Sequence, residues 1–356
     1  MQKSRRYYFF DGMRGIAALA VATYHLSWML GWKIPRAYLA VDLFFLLSGF
    51  VIARAYGEKL ATGGLSVLGF VKVRMLRLYP VYALGICTAA LLLAANVLSG
   101  RYVLTWPLLE ALGLNLVFLP AHIPDNPDLY PTNFPAWSLM FEILANLVFA
   151  LLVFRLPDPS RRIGQLALLS GVALIGLSLA QSGLNHGPNW GSLEFLSGLA
   201  RASYGVLLGA VLYRHQDRLI QRLPAQLSPW LAMIVAMAAM FVPSWTSRFD
   251  VLFDLSCALL LFPIMVMACA SREPVRGARI LNYLGSASYP LYILHIPLAG
   301  MFAMISGKFF GGIHSGWGGI VFFIMMIPLC VVIENRLDIP LRRLLSHPAR
   351  ALALEK

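Results

Sequence analysis

An arginine and a histidine stand inside an otherwise apolar run, Asp11–Leu30 (DGMRGIAALAVATYHLSWML): Arg14 near its start and His25 further in. Charged and titratable groups are costly at bilayer depth and mark function or specific pairing. On a helix, Arg14, Ala18, Val21 and His25 share one narrow stripe. His25 then lies about 16 Å along the axis from Arg14. An imidazole there suits general base catalysis on a hydroxyl, if a carboxylate orients it. The simpler use is a buried histidine bonded to a backbone or hydroxyl group, with Arg14 snorkelling to the interface.

Partners must come from other segments. Asp42, Glu142, Arg201 and His295 also fall in apolar runs and at similar depth. Asp42 or Glu142 would orient His25, while Glu142 could equally pair with Arg201. The seven histidines, His25, His122, His186, His215, His295, His314 and His347, show no HxxxH or HExxH spacing, so no metal site is expected. His25 and His295 could meet only through tertiary packing. The four cysteines lie in apolar stretches without CxxC spacing and read as packing residues. In FVKVRMLRLYP, Phe70–Pro80, the pattern predicts an amphipathic interfacial helix stopped before the proline. Arg74 and Arg77, three apart, share a face that could bind phosphates, or else anionic headgroups. Ser48 precedes Gly49 in a pair that suits close helix packing better than a nucleophile.

The elements that position these groups must be membrane helices. Of the 356 residues, 59% are hydrophobic and 13% charged, against about 25% charged in a soluble domain. The expected fold is all-α, a polytopic bundle of about ten spans, near 12–31, 38–56, 80–99, 136–154, 163–181, 196–213, 228–244, 250–270, 283–306 and 315–337. Residues 106–121 are short for a span of roughly 20 residues and read as an interfacial or re-entrant helix. With that count, most of the 29 Lys and Arg fall on one side, which places both termini in the cytoplasm. The net charge of +13 is then loop anchoring rather than a nucleic-acid footprint. The basic, apolar N-terminus lacks a convincing cleavage site and reads as retained. One membrane domain is expected over 1–345, with a short cytoplasmic tail over 346–356.

Five segments, DGMRGIAALAVATYHL, VDLFFLLSGFVIA, VKVRMLRLYPVY, FPAWSLMFEILANL and YPLYILHIP, occur in this order. Together they resemble the bacterial membrane-bound acyltransferases of acyltransferase family three, over nearly the whole chain. That family includes O-acetylases of O-antigen and exopolysaccharide. The resemblance implies that His25 is the essential histidine and that Arg14 and Asp11 belong to the first-helix motif. It assigns Arg74 and Arg77 to acyl-CoA binding and makes Glu142 the acidic residue of the W-S-L…E motif. Asp42, Ser48 and Gly49 match the second-helix motif, and Tyr292 and His295 the late Y-L-x-H motif. Two features depart from the family: Glu142 is followed by Ile143 rather than a second acid, and the C-terminal acidic position before proline falls to Asp338 or Glu334.

The expected function is transfer of an acyl group, acetyl foremost, from cytoplasmic acyl-CoA to a hydroxyl of a cell-envelope or exported glycan, in the bacterial inner membrane. His25 would be the base, with Glu142 or Asp42 behind it, and Arg14, Arg74 and Arg77 would hold the donor. No permanently bound cofactor is expected, since acyl-CoA is a co-substrate. A lipid or secondary metabolite as acceptor, a covalent acyl-histidine step, and a proton-coupled transporter with a His/Asp/Glu path remain the alternatives.

Overall fold

The computed structural model describes residues 6–273, 276–310 and 316–354. The described residues form α-helices joined by turns, and no β-strand occurs among them. In chain order the helices are α1 (Tyr8–His25), α2 (Ser27–Leu30), α3 (Leu39–Ala61), α4 (Val67–Leu98), α5 (Trp106–Leu116), α6 (Trp137–Arg155), α7 (Pro159–Ala180) and α8 (Ser192–Arg214). They continue with α9 (Gln216–Gln221), α10 (Pro229–Ala238), α11 (Ser247–Ser256), α12 (Phe262–Ser271), α13 (Ala278–Phe310), α14 (Trp317–Ile333) and α15 (Ile339–Leu354). Single π-helical turns, Cys257–Leu261 and Glu334–Asp338, fuse α11 to α12 and α14 to α15. His314 and the side chain of His347 lie outside the described residues. Within the expected tail from residue 346, α15 continues as far as Leu354.

Eight of these segments are long and apolar enough to cross a membrane, so the protein is a multi-pass, all-helical membrane protein. They coincide with eight of the ten expected spans. The other two fall short of that test: α1 carries Asp11, Arg14 and His25, and the apolar segment Pro229–Phe241 is short.

Three local expectations meet the structure differently. The run 12–31 is not one helix: α1 stops at His25, Leu26 breaks the geometry, and α2 ends at Gly31 with a left-handed φ of 78°. Phe70–Pro80 is not a separate interfacial helix, because α4 begins at the Ser66 cap and runs through Pro80 to Leu98. Pro80 removes the donor due to the Leu76 carbonyl, a loss that a spanning helix tolerates, and nearby the Tyr289 hydroxyl of α13 donates to the Leu78 carbonyl at 2.5 Å. Pro297 in α13 likewise removes the donor due to the Ile293 carbonyl, and Asn133 Nδ2 replaces it at 3.1 Å. The third case is 106–121, where only Trp106–Leu116 is helical. It is tied down through buried Asn115, which accepts from Thr132 Oγ1 at 2.6 Å and donates to the Leu119 carbonyl at 3.0 Å.

Two helix pairs position the polar residues, α1 against α13 and α3 against α8. Both depend on glycine at a close approach. A Cβ at Gly15 would collide with the backbone of Leu284, and one at Gly49 with the backbone of Val206. In lipid, where apolar burial gives little drive for helix association, such small-residue seams bring backbones within van der Waals reach.

Candidate active site

The first pairing joins α1 to α13. His25 Nδ1 lies 2.9 Å from His295 Nε2, and His295 Nδ1 lies 3.0 Å from the Leu291 carbonyl one turn earlier. His295 is fully buried, whereas His25, at the end of α1, is half-buried. Phe134 packs edge-on against the His25 ring at 5.4 Å, and Tyr24 at 5.7 Å.

Neither expected carboxylate supports His25. Asp42 is held by Arg201, which donates from Nε at 3.0 Å and from Nη2 at 2.7 Å. Two further bonds, from Nη1 and Nη2, go to the carbonyls of His186 and Tyr38, so four of the five hydrogens of this guanidinium, 2% exposed, are bonded. A buried carboxylate finds its strongest neutralisation in such a two-pronged contact, and that draws Asp42 into a clamp between α3 and α8. Glu142 also finds an arginine, but not Arg201. Its Oε1 accepts from Arg74 Nη2 at 2.6 Å and from Ser48 at 2.5 Å. Ser48 thus does more than permit packing: it bonds the acid of α6.

Glu142, Ser48 and Arg74 line a cavity of about 280 Å³, together with Arg6, Asp11, Arg14, Arg77, Glu334 and Arg342. Its charges pair off unevenly. Arg6 bonds Asp11 at 3.1 Å, Arg74 bonds Glu142, and Arg342 bonds Glu334 at 2.5 Å. Arg14 and Arg77 remain, and neither has a hydrogen-bond or ion-pair partner among the described residues. Arg77 lies instead within the field of three like charges, Arg74, Arg14 and Arg342. The buried Nε of Arg74 is also unbonded. Unpaired guanidiniums in one cavity are a standing cost that a polyanion would relieve.

Both candidates for the acidic position near the C-terminus lie at or beside this cavity. Glu334 lines it, while Asp338 is fully buried beneath, and both contact Arg342. At its other end the lining includes Ser138 and Tyr292, whose hydroxyls bond at 2.8 Å. The Tyr292 ring is 6.4 Å from that of His295. Tyr292 therefore borders both the cationic cavity and His295, and His25 itself is not part of the lining.

Arg36 escaped the sequence reading. Fully buried, it bonds Asp250, Asp254 and the carbonyls of Val242 and Pro243. It fastens the segment before α3 to α11, and nothing in its local pattern marks it. Arg342 was also missed, although its spacing of four from Asp338 suits a helical ion pair.

The fold and site define a helical membrane protein with a histidine pair near an arginine-rich cavity. The acyltransferase domain family matches residues 7–335, and the chain belongs to that family. Among curated proteins it is 41% identical over 161 residues to protein 2 of the picA locus of Rhizobium radiobacter, a match covering 41% of this chain and 81% of that protein. It is 29% identical over 127 residues to the exopolysaccharide production protein ExoZ of Rhizobium meliloti, covering 36% and 38% of the two chains. It is 31% identical over 154 residues to the acyltransferase MdmB of Streptomyces mycarofaciens, covering 39% and 37%. The matched stretches thus span well under half of the last two relatives. No solved structure matches.

Proposed function

We propose that this membrane acyltransferase takes its acyl group from acyl-CoA, acetyl-CoA foremost, and passes it to a hydroxyl of an envelope or exported glycan. The observation that carries the donor is the cavity with its two surplus arginines, Arg14 and Arg77, beside Arg74. Phosphates of the CoA moiety would neutralise them, with the nucleotide end toward Arg6 and Arg342 and the thioester arm directed past Tyr292. The basic residues near both termini support a cytoplasmic opening for this end and hence a place in the bacterial inner membrane. A glycan acceptor is supported by the likeness to an exopolysaccharide production protein.

In this reading His25 takes the proton of the acceptor hydroxyl as its oxygen attacks the thioester carbonyl. The oxygen–acyl bond forms, the carbon–sulfur bond breaks, and the thiolate leaves with the proton returned by His25. Arg14 steadies the donor arm and the negative charge that develops on it. His295, rather than Glu142 or Asp42, stands behind the base. Glu142 and Ser48 hold Arg74 in place, and Asp11 holds Arg6. The donor is a co-substrate, and no resident cofactor or metal enters this scheme.

The test is the ester content of extracted surface glycans, by mass spectrometry, in cells lacking the gene and complemented with the wild type or with His25→Ala. Acylation restored by the wild type alone supports the reading. Acylation restored equally by His25→Ala overturns it.

A further inference from the structure

We infer that His295 is a positioning residue that fixes the tautomer of His25, so that His25 offers Nε2 as its proton-accepting nitrogen. The inference rests on the reading of His25 as the base, and it starts from the one group in the chain that cannot change role. A peptide carbonyl only accepts, so the Leu291 oxygen, 3.0 Å from His295 Nδ1, requires a hydrogen on that nitrogen. His295 is fully buried, and neither imidazole has a carboxylate at hydrogen-bond distance among the described residues. An imidazolium there would be an unpaired buried charge. The resting ring is therefore neutral, and its Nε2 carries a lone pair. That lone pair faces His25 Nδ1 at 2.9 Å, so His25 Nδ1 must carry the hydrogen. A neutral His25 then has its free lone pair on Nε2, the nitrogen left for a hydroxyl.

The chain of bonds, carbonyl to His295 to His25, does what a carboxylate does behind other catalytic histidines, but without a fixed negative charge. During transfer Nε2 gains the acceptor's proton, and the resulting imidazolium keeps its Nδ1–H on His295 Nε2. The proton then leaves from Nε2 to the thiolate, so the pair returns to its starting tautomers.

The experiment compares wild type, His295→Gln, His295→Leu and His25→Ala in purified, detergent-solubilised full-length protein. It reads kcat and KM with acetyl-CoA as donor, together with histidine ring nitrogen shifts by NMR after labelling with nitrogen-15. A glutamine reproduces both bonds, its carbonyl accepting from His25 and its amide donating to Leu291, whereas leucine makes neither. The expected result is a fall in kcat of about 10²- to 10⁴-fold for His295→Leu, on the scale of a wrong-tautomer catalytic histidine. KM for the donor should be unchanged, and His295→Gln should recover activity to within about tenfold of wild type. The ring signal lost in His25→Ala should show the Nδ1–H form in the wild type. Wild-type kcat in folded His295→Leu, a glutamine variant as impaired as the leucine one, or an Nε2–H signal for His25 would overturn the inference. The spectrum decides alone if His295→Leu does not fold. Full turnover by His25→Ala would instead remove the base reading on which the inference stands.

Discussion

Arg74 and Glu142, 68 residues apart in the chain, meet at 2.6 Å, with side chains 6% and 13% exposed. Ser48 shares the same carboxylate oxygen. This acid is committed to an arginine of the cationic cavity and not to the imidazole. Glu142→Gln is therefore expected to free Arg74 and make the cavity more cationic. Thermal unfolding should show a lower midpoint without ligand and a larger rise on adding acetyl-CoA than in the wild type. A loss of kcat with an unchanged ligand-induced rise would return Glu142 to the role of imidazole partner.

Arg77 lines the cavity without a hydrogen-bond or ion-pair partner among the described residues, so its removal should leave the fold intact. A hydrogen bond to a charged group is worth about 1.5–3 kcal/mol. Arg77→Ala should thus raise KM for acetyl-CoA roughly 10- to 150-fold at constant midpoint of unfolding. Steady-state kinetics beside a thermal scan would check this, and an unchanged KM would remove Arg77 from the donor site.

Salt should act on the same step. A cavity with surplus cations attracts a polyanion less as ions screen it, the screening length falling from about 30 Å at 0.01 M to about 10 Å at 0.1 M. KM for acetyl-CoA is expected to climb over that range, with kcat constant. A salt-independent KM would mean that the surplus arginines do not hold the donor.

Asp42 and Arg201 should matter to folding rather than to chemistry. Removing one partner of a buried ion pair costs about 3–5 kcal/mol. Asp42→Asn or Arg201→Met should therefore lower the unfolding midpoint sharply, while kcat per folded molecule stays near wild type. A stable but inactive Asp42→Asn would restore Asp42 to the catalytic machinery.

Gly49 offers a purely steric test. A Cβ there would meet the backbone of Val206, which cannot turn aside as a side chain can. Gly49→Leu is expected to prise α3 from α8, abolish stable expression and expose the membrane domain to limited proteolysis. Normal expression of that variant would show that the seam can widen.

Most of the architecture was legible in the chain because it follows from solvation. Apolar runs of spanning length must become helices in lipid, and the shortness of the 106–121 run marked it as a non-spanning helix. Pro80 misled, since a proline costs a helix the one hydrogen bond to the carbonyl four residues back, here Leu76, and a spanning helix packed among others can carry on past it. The break after His25 left no sequence signal, because Leu26 is an ordinary helix former.

The candidate site divides along the same line. Residue type and depth were enough to single out Arg14, His25, Glu142 and His295, since polar groups among so many apolar ones are conspicuous, and their spacing of three in a basic segment singled out Arg74 and Arg77. Their pairing was decided only in three dimensions. Asp42 and Glu142 were both candidates for His25, and Glu142 also for Arg201. Which acid met which base depended on the glycine-lined approaches of α1 to α13 and α3 to α8. Those seams fix the angular and axial register between helices, to which hydropathy is blind. A shift of one turn moves a side chain about 5.4 Å, nearly twice a hydrogen bond. Register therefore gave Asp42 to Arg201, Glu142 to Arg74, and left His25 to a second histidine 270 residues away.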